Sequence, residues 1–221
     1  MAKDKCIYCD SRKGERECPA LGGYICSRCC GENRGKNIDC PPDCRYFQRG
    51  ERYQQEKWAD AYRELWTDKN AEALDSLTEG DMSEETRNFI ATQNVLESLV
   101  YHRYEIEEDK KLTDEGLLQG WRNLKRRLGP IELPRGSSEL ENFFWDQLER
   151  PIEEGTFSKG TIQEALDKLI EIGEEFSDGE RRLVRGLVGS ARDDLDLDEQ
   201  WEEEEGEVEG LIFNPYSSRG L

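Results

Sequence analysis

The sequence has no cysteine after Cys44, a single histidine, two methionines and few apolar residues for its 221 positions. Each shortage excludes something. The 177 residues beyond Cys44 can form neither a disulfide nor a thiolate site, so they must fold by burial alone. With His102 as the only imidazole, an H-E-x-x-H metal helix cannot be built. Hydrophobic residues make up 35% of the chain against 37% charged, and no run approaches the roughly 18 apolar residues of a membrane span. The start, Met1-Ala2-Lys3-Asp4-Lys5-Cys6, lacks the apolar stretch of a secretion signal. A soluble, cytoplasmic protein with no membrane association is the expectation. Positive charge is also scarce: 31 Lys and Arg face 50 Asp and Glu, a net charge of −19.

What is present is unevenly placed. All eight cysteines, Cys6, Cys9, Cys18, Cys26, Cys29, Cys30, Cys40 and Cys44, lie in the first fifth of the chain, with only seven other apolar residues among them. Below about 40 residues a core that thin does not hold a fold. Two Cys-x-x-Cys knuckles, Cys6–Cys9 and Cys26–Cys29, have the spacing that lets two thiolates grip one ion, and eight thiols suit two tetrahedral sites. The ligand order suggests a cross-brace. Cys6, Cys9, Cys26 and either Cys29 or Cys30 would share one ion, with Cys18, Cys40, Cys44 and the remaining cysteine on the other. Two zinc ions are the expected cofactors, each contributing about 10–16 kcal/mol in place of a core. A disulfide framework is disfavoured in a reducing compartment, and a single iron–sulfur cluster would leave four cysteines without a task. The glycine after the second knuckle, Gly31, is expected to take a positive φ.

Cys18-Pro19, then Tyr24-Ile25-Cys26-Ser27-x-x-Cys30 and the Cys40-x3-Cys44 pair, resemble the HIT and MYND type of cross-braced zinc finger over residues 6–44. The resemblance implies a platform for protein partners. Leu21 stands where that type has a cysteine and Cys40 where it has a histidine; Cys29 supplying the missing ligand would assign Cys30 to the first site.

Beyond Cys44 the pattern becomes helical. Tyr46, Phe47, Tyr53, Trp58, Tyr62, Leu65 and Trp66 form an aromatic stripe from Arg45 towards Trp66, read as core. Ser83 and Thr113 precede two further helical patterns, the second stopping at Gly129-Pro130. Others run from Ser138 to about Arg150, ended by Pro151, from Thr161 to Phe176, and from a Ser177/Glu180 capping box to Arg192. The fold class is therefore mainly α: a small N-terminal two-zinc finger over residues 1–44, followed by an antiparallel helical bundle over 45–192. Residues 193–209, 11 of 17 acidic, read as an extended linker. Residues 210–221 end the chain as an apolar anchoring segment that docks in cis or is captured by a partner.

No nucleophile elbow, phosphate loop or metalloprotease motif occurs, and chance pairing explains adjacent carboxylates in so acidic a chain. The first functional reading is a zinc-binding, non-enzymatic adaptor acting through protein–protein contacts. The second is an RNA- or ribosome-associated factor contacting phosphates through Arg12, Lys13, Arg16, Arg28, Arg34 and Lys36 of the finger and Arg122, Arg126, Arg181 and Arg185 of the bundle. A thiol/zinc redox sensor is the third. Residues 1–52 carry 11 basic and 8 acidic groups, but eight thiolates with two zinc ions add a net −4 and bring that +3 to about −1. Any basic face must therefore come from how those side chains are distributed.

Overall fold

The two strands of the chain's described residues form a hairpin too short to bury a face of its own. Strands β1 (Arg16–Cys18) and β2 (Gly23–Ile25) pair antiparallel, with Glu17 opposite Tyr24 and Cys18 opposite Gly23. The amides of Leu21 and Gly22 close the turn onto the Cys18 carbonyl, and Gly22 supplies the left-handed residue at φ 65°. Helix α1 (Ser27–Asn33) follows directly. The computed structural model describes residues 5–78, 83–129 and 138–204, in two units, Met1–Gln54 and Gln55–Leu221, whose division falls within helix α2 (Arg45–Lys69).

In the first unit Ile25 and Ile38 are buried among cysteines, and the buried Phe47 ring rests on Gly35. Gly35 has φ 66°, and a Cβ there would stand 2.6 Å from that ring. Arg34 donates to the Tyr46 carbonyl at 2.8 Å while its guanidinium covers Gly50, where any side chain would collide with it. So few apolar contacts cannot account for an ordered unit of this size.

The second unit is a helical bundle built from the rest of α2, α3 (Ala71–Thr78), α4 (Glu84–Tyr101), a π-helical turn (His102–Ile106), α5 (Asp114–Arg127), α6 (Glu139–Glu153), α7 (Lys159–Phe176) and α8 (Arg182–Glu204). Helix α4 packs on α7 and α8, and α5 packs on α6, α7 and α8. Trp121, Tyr62, Tyr104, Phe144, Leu96 and Leu166 are fully buried at the centre. Ser83, Thr113, Ser138 and Ser158 each cap a helix by accepting an amide of its first turn. The mainly α class and the order of finger before bundle match the expectation. Among the described residues no helix is long and apolar enough to cross a membrane.

Several local expectations are corrected. The aromatic stripe divides: Tyr62 is buried and Trp58, Leu65 and Trp66 pack against the bundle core, whereas Tyr53 is 61% exposed. Pro151 does not end α6 but lies within its last turn; the helix stops beyond it, at Gly155 with φ 78°, where the Thr156 amide returns to the Pro151 carbonyl. Ser177 and Glu180 form no capping box. Instead the buried carboxylate of Asp114, from the first turn of α5, accepts the Val184 amide at 3.0 Å and the Ser177 hydroxyl at 2.8 Å, holding the start of α8. Helix α8 then continues to Glu204, so residues 193–204 are helical where an extended linker was expected. The segment 210–221 lies outside the described residues.

Replacing Asp114 by Ala leaves the buried Val184 amide and the partly buried Ser177 hydroxyl without their acceptor, and is expected to cost about 2–3 kcal/mol. Urea denaturation of the full chain checks this, and Asp114→Asn, which keeps one acceptor oxygen, is expected to lose less.

Candidate metal centre

The Sγ atoms of Cys6, Cys9, Cys26 and Cys29 all lie within 4.8 Å of one another. In a tetrahedral site with metal–sulfur bonds of about 2.3 Å the sulfurs stand about 3.8 Å apart, so closure onto an ion needs a contraction of about 1 Å at most. A quartet of thiols with this spacing, three buried and Cys9 half-buried, can hold one metal ion.

Local backbone structure places each sulfur. The Cys6 amide donates to the Arg12 carbonyl at 2.7 Å and the Asp10 amide donates to the Cys6 carbonyl at 2.8 Å, curling the first knuckle into a tight turn. Asp10 occupies the left-handed region at φ 48°, a conformation in which Asp is among the better tolerated non-glycine residues. The second knuckle is the beginning of a helix. Cys26 is the N-cap of α1, its sulfur accepting the Cys29 amide at 3.4 Å, and Cys29 sits one turn on, on the same side. Gly31 is therefore helical and has no positive φ, contrary to expectation.

Charge explains why these sulfurs need a cation. The Ser11 hydroxyl, at 3.3 Å, and nearby amides lower the Cys9 thiol to about 6, and the Cys29 amide lowers Cys26. The cost appears on Cys29, which its hydrogen bond with Cys26, followed by burial, pushes up to about 12. Four thiolates so close repel one another, and a cation held among them would let the last proton leave.

The assignment of Cys29 to this quartet decides between the two candidates and corrects the one suggested by the finger resemblance, which was Cys30. The cause is helical geometry: Cys26 and Cys29, at i and i+3, share a side of the first turn, and Cys30 projects a further 100° or so round the axis. Cys30 and Cys18 are buried in the same cluster, with Cys40 packed against it. Burial raises the Cys40 thiol first, and the neighbouring Cys44, Cys18 and Cys30 raise it further. Cys18 and Cys44 also line one cleft.

The basic residues fall into two groups. In the bundle, Arg122 and Lys125 pair with Glu174 and Asp167 of α7, Arg126 bonds Asn123, and Arg127 meets the buried Glu141. Arg181 has a buried Nη1 without a hydrogen-bond partner, and its neighbour Arg182 lies over the rings of Trp58 and Phe176. Most of the α5 cluster is thus taken up within the bundle. In the finger, Arg28 pairs with Glu32, Arg34 reaches the Tyr46 carbonyl and Lys36 is also engaged. Arg12, Lys13 and Arg16 have no carboxylate partner among the described residues, while Arg16 lies 4.8 Å from the Tyr46 ring centre. His102 stacks on Phe143 and takes no part in the thiol site. Two contacts escaped the sequence reading: the Ser11 hydroxyl on Cys9, for which Ser11's position two residues after a knuckle cysteine was the available signal, and the arginines on Tyr46, which packs against the core as read.

No protein-family profile matches this chain, and no curated protein or solved structure does either.

Titration with cobalt(II) is expected to give the visible bands of a tetrahedral thiolate site. Because ligation requires thiolates, the bands are lost as pH falls and protons compete for sulfur. Cys29→Ser is expected to abolish binding at the Cys6 quartet, whereas Cys30→Ser leaves it intact.

Proposed function

We propose that this chain is a zinc-binding, non-enzymatic adaptor whose N-terminal finger is held by two zinc ions and presents a surface to a protein partner. The observation that carries the reading is the Cys6/Cys9/Cys26/Cys29 quartet. Four thiolate donors with no carboxylate or imidazole among them and no position left for substrate suit a closed structural site, and zinc is its usual occupant. Cys18, Cys30, Cys40 and Cys44 form the second site. Their support is the shared buried cluster, the cleft common to Cys18 and Cys44, and the influence of the other three sulfurs on Cys40.

The role of the metals is to make a rigid surface from a segment that cannot bury a core. On that surface Ile7 and Tyr24 are 53% and 47% exposed and touch through their backbones, the Ile7 amide donating to the Tyr24 carbonyl at 2.9 Å. Tyr8, also exposed, is held by its hydroxyl to Asn33 of α1. Exposed aromatics fixed by backbone bonds are the kind of group that anchors a protein interface. The adaptor reading extends to the cytoplasmic setting expected above, where thiols stay reduced.

Native mass spectrometry of the full chain is expected to find two zinc ions, one of them lost in Cys26→Ser and the other in Cys40→Ser. A chain that retains both ions in either variant, or never binds the second, overturns the two-site assignment. Chelation is expected to abolish ordered amide signals of the first unit while the bundle's remain.

A further inference from the structure

Positive charge in this acidic chain gathers on helix α5. Residues 116–129 hold Arg122, Lys125, Arg126 and Arg127 and no acidic side chain, in a sequence with 50 carboxylates against 31 basic groups. Arg122, Lys125 and Arg126, at i, i+3 and i+4, share one face of the helix. Together with Gln119, Asp167 and Ile170 they line a cleft of about 420 Å³ between α5 and α7. Three cations thus meet one carboxylate there, beside a half-buried isoleucine that packs on the bundle core.

None of the three cations is saturated. Arg122 gives a single nitrogen to Glu174, at 2.6 Å, and Lys125 bonds Asp167; their side chains are 40% and 39% exposed. Exposed pairs of this kind contribute little each, so a competing carboxylate displaces them at small cost. Arg126 is exposed, bonds Asn123 and has no carboxylate partner among the described residues. Arg127, by contrast, is turned against the buried Glu141 and lies over Trp145, outside the cleft. An apolar floor within a cationic rim receives an apolar side chain flanked by carboxylates. We propose that the cleft between α5 and α7 docks an acidic peptide segment of a protein partner, with an apolar side chain on Ile170 and carboxylates on Arg122 and Arg126.

Carboxylates three or four residues apart on a partner helix stand about 5–6 Å from one another, the spacing of the three cations themselves. A nucleic-acid strand matches this surface less well. Such a strand binds by neutralising many phosphates, whereas the rim offers three cations with Asp167 and Glu174 directly beside them. The cleft lies in the second unit and involves no cysteine. It goes beyond the role assigned to the finger by giving the adaptor a second docking face, and metal analysis of the same sample separates a failure of one from a failure of the other.

The test is fluorescence anisotropy of the metal-loaded full chain with a labelled peptide, Gly-Glu-Glu-Leu-Phe-Glu-Glu-Gly, whose carboxylates recur at the spacing of the cations. Changing its four Glu to Gln, or its Leu-Phe to Ser-Ser, is expected to weaken binding about tenfold. Arg126→Gln is expected to weaken it about fivefold while the melting temperature moves by no more than about 2 °C, since that variant breaks no ion pair of the bundle. Arg12→Gln, on the finger, is expected to leave the affinity unchanged. No binding, equal binding of the Glu and Gln peptides, full affinity in Arg126→Gln, or tighter binding of a labelled single-stranded RNA hexamer overturns the proposal. So does binding that emerges only once residues 205–221 are removed, which assigns the cleft to the chain's own acidic end.

Discussion

Mutual repulsion among closely placed thiolates is the constraint around which the first unit is organised. Sulfur atoms within 4.8 Å of each other cannot all be charged without a cation, and the hydrogen bonds that lower Cys9 and Cys26 leave Cys29 holding its proton. The local backbone serves the same end. A left-handed Asp10, a helix begun on Cys26 and a two-residue reach to Ser11 all direct donors at sulfur. Ile25, Ile38 and Phe47 are the main apolar burial of the unit, and the four thiols are placed where they could hold an ion in place of a larger core.

The second unit answers the opposite problem, too much charge for its apolar content. It does so by confining its apolar residues to helix faces and joining the acidic exteriors with basic side chains from neighbouring helices. Arg103 is a dense case, bonding Glu107 and Asp109 just beyond its own turn and Glu139 at the start of α6. Glu105 is another: half-buried in the π-helical turn, it accepts from Gln55, Lys110 and Arg192. Such pairs contribute little each when exposed, but partly buried networks fix which helix faces which.

How much of this was readable in advance follows from the range of the forces involved. Helix starts were legible because Ser83, Thr113 and Ser138 act on amides two or three residues away. Cysteine spacing pointed to the gathered thiols of Cys6, Cys9, Cys26 and Cys29 for the same reason. What could not be read are effects set by distant partners. Asp114 looked like a favourable charge at its own helix start and serves α8, 70 residues on. Pro151 looked like a terminator, yet Gly155 sets the end of that helix. The choice between Cys29 and Cys30 needed the knowledge that a helix begins at Ser27, which the dense cysteines and Gly31 conceal. Tyr46 had the spacing of a core residue and does pack against the first unit's core, but its ring also receives two arginines.

The glycines of α8 carry one more consequence. A Cβ on Gly189 would stand 2.6 Å from the carbonyl oxygen of Gln55, and one on Gly186 would meet the Tyr62 Cβ at 3.0 Å and the Trp58 carbonyl at 3.2 Å. Along this seam α2 meets α8 at main-chain distance, so its spacing is set largely by peptide groups that every residue possesses. In evolutionary terms the seam should be asymmetric. The α2 side can drift through many side chains while keeping the same backbone profile, but the α8 side has two positions, 186 and 189, where space favours glycine. Descendants of this sequence should therefore keep those two glycines long after the residues opposite them have changed.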